Sequence, residues 1–430
     1  MRVAFLHPDL GIGGAEQLVI NLALSCKRIG CYVKIFTPYY DQSRAFSQTK
    51  DGTLDVEVRG NLFPRRIFGR FHAFCEYLRM LFAAIYLILF GGHFDLVIVD
   101  QIPLPVPLLK LRFNTMFYCH FPDKLLCVER RSFFKRIYRF FIDLLEEITM
   151  LFAKIIVVNS NYTKKIFREN FKIISKLRNP PSIIYPCIDL SDYDRMSNIQ
   201  KEDLLKVRGL EKLGEKFNLN KTKVLFSLNR YERKKNLGLA LDAFLHFMEN
   251  RQKIQNADLD SDYILIFAGG FDPSLTENIE VFDELNYKDF HYNKDRVFFL
   301  KNISNEERSI ILKSANVVIY TPKNEHFGIV PVESMYCGAF VIAHKSGGPT
   351  ESVKDNETGY LIENEDPQIW AEKIQEYFSK NNFDEMNSQN SIRIKTILKN
   401  HVLQNFSLRM MESQMVGILS RIIKVKRKIN

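Results

Sequence analysis

The 430-residue chain lacks several features that would assign it quickly. No segment reaches the roughly 18 continuous apolar residues of a membrane span. The nearest, 80–90, is bounded by Arg79 and by Gly91-Gly92. The first residues, Met1-Arg2-Val3-Ala4-Phe5-Leu6-His7, show no basic-then-apolar region and no small-residue cleavage site, so no secretory signal is read there. The seven cysteines are odd in number and include no Cys-x-x-Cys spacing. That argues for a reducing compartment and against a disulfide framework. No His/Cys cluster has metal-ligand spacing, and no Ser, His and acid set reads as a hydrolase triad. No Asp-x-Asp pair follows the carboxyl end of a strand candidate in the second half. No nucleic-acid-binding motif accompanies the net charge of +10, and repeats and low-complexity stretches are absent.

What is present is a strand–helix alternation, run through twice. Apolar strand candidates fall at 2–6, 32–36, 95–99, 115–119, 154–158 and 182–185, then at 223–228, 263–268, 296–300, 316–320 and 340–343. Helix-length stretches separate most of them, which predicts parallel sheets with covered faces. With 46% apolar residues the chain can bury two cores. The expected fold class is α/β, two Rossmann-like, doubly wound domains. The expected boundaries are 1–195, a charged linker 196–222, a second domain 223–395, and a helical segment with a basic tail at 396–430.

In open parallel sheets, ligands bind beyond the carboxyl ends of the strands, and the informative residues follow strand candidates. Glu325 and Glu333 lie in Asn324-Glu325-His326-Phe327-Gly328-Ile329-Val330-Pro331-Val332-Glu333, after the strand 317–320. The pattern predicts Glu325 in the loop and Glu333 in or near the opening turn of a helix. Two acceptor-only carboxylates suit a ligand rich in hydroxyls; two solvated surface glutamates are the alternative. Arg230 and Lys235 follow the strand 223–228, where two cations can clamp a diphosphate and offset charge growing on it; a solvated charge run is the alternative. Gly13 and Gly14, after the first strand, let a loop approach an anion ahead of a helix N-terminus. A dinucleotide fingerprint would need a third glycine that is missing. Gly347 and Gly348 form a second glycine turn, and His120 ends another strand.

Basic residues alternate with large aromatics at 63–71 and 130–141, and the chain ends in the basic tail 421–428. Such segments suit a water–lipid interface; amphipathic helices packed on a core are the alternative.

Arg230, Lys235 and the Glu325-x7-Glu333 pair together resemble the retaining, nucleotide-sugar-dependent glycosyltransferases of family 4. Phe117-Tyr118-Cys119-His120-Phe121-Pro122-Asp123 and the segments 229–236, 268–272 and 324–331 are similar to the branch of that family that adds α-1,3- and α-1,6-mannose in the dolichol pathway. The resemblance implies a GT-B fold, two Rossmann-like domains facing a central cleft. It implies transfer of mannose from GDP-mannose to a dolichyl-diphosphate-linked Man1GlcNAc2 oligosaccharide at the cytosolic face of the endoplasmic reticulum membrane. Arg230 and Lys235 would hold the donor diphosphate, Glu333 the ribose and Glu325 the sugar hydroxyls. Phe327, Gly328 and Ile329 would lie beside sugar and phosphates. Gly13 and Gly14 would approach the phosphates from the first domain, and His120 would face the sugar. No cofactor and no metal requirement are expected. Expected partners are the membrane surface and other early mannosyltransferases of the pathway. Asn236 stands where many members of the family carry glycine.

Overall fold

In the computed structural model, residues 1–64, 66, 72–126, 133–195, 198–253, 262–292, 295–380 and 389–429 are described. The chain divides into two compact units, Met1–Cys187 with Leu408–Asn430, and Ile188–Ser407.

The first unit holds seven parallel strands in the order β3-β2-β1-β4-β5-β6-β7: β1 Arg2–Leu6, β2 Tyr32–Thr37, β3 Asp55–Val58, β4 Leu96–Asp100, β5 Asn114–Cys119, β6 Ile155–Val158 and β7 Ser182–Ile183. The two-residue strand period divides β1 between two cores. Val3 and Phe5 join Leu18, Leu22 and the returning Met411, Met415 and Ile418 on one face. Ala4 and Leu6 join Met80, Ala83, Ala84 and Leu87 on the other. Burial on both faces is why β1 and β4 read as nearly unbroken apolar runs. Each fully buried aliphatic side chain contributes about 1.5–3 kcal/mol.

The second unit holds six parallel strands in the order β10-β9-β8-β11-β12-β13: β8 Lys223–Leu228, β9 Tyr263–Gly269, β10 Val297–Lys301, β11 Val317–Tyr320, β12 Phe340–His344 and β13 Gly359–Ile362. In each sheet the strand order reverses once, between β1 and β4 and between β8 and β11. These are the switch points at whose carboxyl ends ligands bind in such sheets.

The structure departs from the sequence expectation in four places. Strands β3 and β13 were not anticipated; both are sheet edges, and Asp55 and Glu57 break the apolar pattern of β3. Residues 198–222 belong to the second unit, where Leu204, Val207, Leu210 and Leu213 are buried. The helix Leu408–Ile429 belongs to the first unit, packed on Gly14–Arg28. The apolar run 80–90 is the second half of a longer helix, His72–Phe90. That helix is long and apolar enough to cross a membrane, with one third of its span buried. Its Arg79 is buried and donates to the Pro38 carbonyl at 2.9 Å.

Candidate active site

In the second unit, two loops at the switch point carry the charged groups. Arg230 follows β8 directly; its guanidinium is largely exposed and lies 2.8 Å from Glu232. Gly269, at the end of β9, makes room for this turn: a methyl group there would stand 1.9 Å from the Asn229 carbonyl oxygen. A short 3-10 turn, Arg233–Lys235, follows and ends at Asn236, which has φ +48°. Asparagine tolerates this left-handed conformation better than most residues. The turn aims Lys235 at Glu325, and the two form an ion pair. Thr321, just after β11, fixes the Lys235 backbone by donating to its carbonyl at 2.7 Å.

Glu325 lies in the loop after β11, as expected. Burial alone would raise its carboxyl, but Lys235 holds it below the ordinary glutamate value. The Tyr320 hydroxyl donates to the same carboxylate at 3.4 Å. Gly347 and Gly348, in the loop after β12, close on this segment. The Gly348 N–H donates to the Glu325 carbonyl at 2.8 Å. Gly347 has φ +66°, and a methyl group there would lie 2.3 Å from the Glu325 carbonyl oxygen; one at Gly348 would lie 2.2 Å from Phe327. The buried Phe327 packs edge-on against Phe406, and Gly328, at φ +76°, caps the helix Ile329–Cys337. The free N–H groups of that helix's first turn can meet an anion. Arg230, Lys235, Glu325, Phe327, Gly328, Ile329, Gly347 and Gly348 thus share the strand ends and loops of one sheet edge.

Glu333 is the fifth residue of its helix, just past the opening turn and near where the sequence put it. It is buried, accepts from the Tyr193 hydroxyl at 2.9 Å and pairs with Arg308. Sequence reasoning named neither partner; they lie 140 and 25 residues away and no local signal marks them.

Gly13, Gly14 and His120 belong to the first unit. Gly13 caps the helix Gly14–Arg28, and a methyl group there would stand 2.2 Å from the Glu16 carboxylate. The His120 ring donates from Nε2 to Asp100 at 3.0 Å, and Asn159 donates to the His120 carbonyl at 2.9 Å. Asp100 ends β4. It also accepts from Nδ1 of His7, the residue after β1, at 2.9 Å. His7 is fully buried, and its Nε2 is 3.9 Å from Glu16. Burial opposes a charge on His7, but Asp100 and Glu16 outweigh it and raise the imidazole to about 10. Burial likewise opposes charge on Asp100, yet the two imidazoles lower it to about 2. His7 and Asp100 were missed in the sequence, although Asp100 closing the run Leu96-Val97-Ile98-Val99 was a usable signal: an acid that ends a buried strand needs a partner.

Of the basic–aromatic segments, 65 and 67–71 and 127–132 lie outside the described residues, as do the side chains of 134, 135 and 423–430. Among the described residues, Phe133, Phe140 and Phe141 expose more than half their surface on the helix Phe133–Met150, as do Leu89 and Phe90 at the end of His72–Phe90.

Residues 12–192 match the family described as Glycosyltransferase Family 4, and residues 211–393 match Glycosyl transferases group 1. Among solved structures, sucrose-phosphate synthase from Thermosynechococcus elongatus superposes with a TM-score of 0.71 at 18% identity, covering 99% of this chain and all of that one. HepE of Anabaena in complex with UDP-glucose gives 0.65 at 18% identity, covering 98% and 100%. Fold and matched families define a glycosyltransferase of the GT-B class. The curated α-1,3/1,6-mannosyltransferase ALG2 of Dictyostelium discoideum is 44% identical over 366 residues, 84% of this chain and 86% of that protein. The human ALG2 is 41% identical over 384 residues, 87% and 86%. The chain belongs to the ALG2 family of α-1,3/1,6-mannosyltransferases.

Proposed function

We propose that the chain transfers mannose from GDP-mannose to dolichyl-diphosphate-linked Man1GlcNAc2, making an α-1,3 and an α-1,6 linkage in the assembly of the N-glycan precursor. The observation that carries this reading is the Lys235–Glu325 pair beside the helix N-terminus at Gly328, in a chain of this family. Lys235 and Arg230 hold the donor diphosphate and stabilise charge that grows on it as the glycosidic bond breaks. Glu325 releases part of its hold on Lys235 to the hydroxyls of the sugar. Glu333, steadied by Tyr193 and Arg308, accepts from the ribose hydroxyls, and His120 contacts mannose. With cations and helix N–H groups already at the diphosphate, no metal is required. Both products are α-linked, as the donor is, so configuration is retained. Turnover of GDP-mannose against UDP-glucose with a lipid-linked acceptor tests the donor; equal or greater turnover of UDP-glucose would refute it.

The acceptor's polyprenyl chain requires the enzyme to work at a bilayer, here the cytosolic face of the endoplasmic reticulum. The exposed Phe133, Phe140, Phe141, Leu89 and Phe90 support a first-unit face that lies on the membrane. Apolar insertion is independent of salt, whereas attraction of cations to anionic lipid is screened. High salt should therefore release only part of the protein from vesicles. Complete release would remove the apolar half of this reading.

A further inference from the structure

The helix Asn161–Asn170 begins at the carboxyl end of β6, next to His120. Ser160 caps it, accepting from the Thr163 N–H at 3.0 Å, and Asn159 is bonded to the His120 backbone. Its inner face, Thr163 and Phe167, is buried. Its outer face and the start of the next helix, Lys172–Leu177, line an open groove of about 490 Å³ with Asn161, Lys164, Lys165, Arg168, Glu169 and Lys172. Four cations face one carboxylate. Lys165, Arg168 and Lys172 are exposed and Lys164 half-buried. None of the four enters an ion pair, whereas elsewhere Arg139 holds Asp123 and Asp143, and Arg233 holds Glu280 and Glu284. Four unpaired cations around one groove repel each other, and an anion bound among them would relieve that repulsion.

We infer that this groove holds the diphosphate of the lipid-linked acceptor, an assignment that rests on the transfer reading above. The spacing supports it. Two sugars separate the diphosphate from the mannose that reacts, so its binding residues must stand away from His120. Residues 161 to 168 advance about 10 Å along the helix axis, carrying the basic face outward from the His120 strand end. Lysine and arginine suit phosphate oxygens, arginine through two parallel N–H groups. Ile173 and Leu177, on the helix that begins at Lys172, are exposed and could meet the first prenyl units.

The test uses the full chain, GDP-mannose and a short-chain prenyl-diphosphate-linked Man1GlcNAc2. Wild-type turnover comes first, and its absence would defeat the transfer reading itself. Given turnover, Lys165→Gln with Arg168→Gln should raise KM for this acceptor by about tenfold. KM for GDP-mannose should not move. The charge-retaining pair Lys165→Arg with Arg168→Lys should restore most of the acceptor KM. An alkyl glycoside of the same trisaccharide, without diphosphate, should show a raised KM in wild type that the neutral pair raises no further. An unchanged acceptor KM in the neutral variant overturns the assignment. So does an equal loss of binding to phosphatidylcholine vesicles containing phosphatidylserine and no acceptor, because the groove would then be a general headgroup contact.

Discussion

Both carboxylate oxygens of Asp100 lie 2.9 Å from Nδ1 of His7, and the pair is shut off from water. Asp100 thereby becomes a fixed acceptor for Nε2 of His120 and sets the orientation of that ring. A His7 imidazole raised from 6.5 to about 10 stabilises the fold fully below pH 6.5 and loses that contribution as the pH climbs toward 10. Asp100, lowered from 3.8 to about 2, contributes above pH 3.8 and loses its share only in strong acid. Melting temperature should therefore fall between about pH 7 and pH 9.5 in wild type, and fall less in His7→Gln. Parallel slopes would show that His7 is not charged in the folded state.

Under the proposed reading Lys235→Ala removes a charge-assisted contact to the diphosphate, and it leaves the half-buried Glu325 without its cation. Transfer should drop by about 1.5–3 kcal/mol in barrier, roughly 10- to 150-fold, and Arg230→Ala should act in the same direction. The freed Glu325 carboxyl should titrate at higher pH than in wild type, because the main group opposing the effect of burial is then gone. Near-normal turnover in both variants would remove the clamp.

The two glutamates separate by thermodynamics. Glu333→Gln should weaken GDP and GDP-mannose alike, since both carry the ribose, and should also lower stability. It leaves the half-buried Arg308 guanidinium without its counter-charge, so the loss should exceed that of a surface ion pair. Glu325→Gln should mainly weaken the intact donor and cost less stability, because its side chain is partly solvated. Calorimetry with both ligands and a thermal melt measure these contrasts; identical profiles for the two variants would contradict the division of roles.

Under the proposed reading Arg230, Lys235 and the helix start at Gly328 supply the positive field at the diphosphate, so chelation should leave activity intact. Loss of turnover with a chelator, restored by magnesium or manganese, would overturn that electrostatic account.

Much of this architecture is legible in the sequence because central parallel strands are apolar on both faces. Val224, Leu225 and Phe226 of β8 or Val97, Ile98 and Val99 of β4 can hardly be read otherwise. Edge strands carry less of that burial, and Asp55-Val56-Glu57-Val58 shows no apolar run to mark it. The donor-side residues were legible because they immediately follow such strands. The partners of Glu333 and Asp100 were not, because they are set by strand order and helix packing: Tyr193 reaches Glu333 across 140 residues and His7 reaches Asp100 across 93. Arg79 misled in the opposite sense. As a charge it marked the end of an apolar run, yet the backbone carbonyl of Pro38 satisfies it inside the fold and the helix continues through it.

The most direct test is linkage analysis of the lipid-linked product after purified full-length protein is incubated with GDP-mannose and Man1GlcNAc2 on a prenyl diphosphate. The account predicts a product carrying two added mannoses, one α-1,3 and one α-1,6, on the original mannose, with transfer by Lys235→Ala under the same conditions no higher than about ten per cent of wild type. A β-linked product, transfer to a different sugar, or undiminished transfer by Lys235→Ala would contradict it.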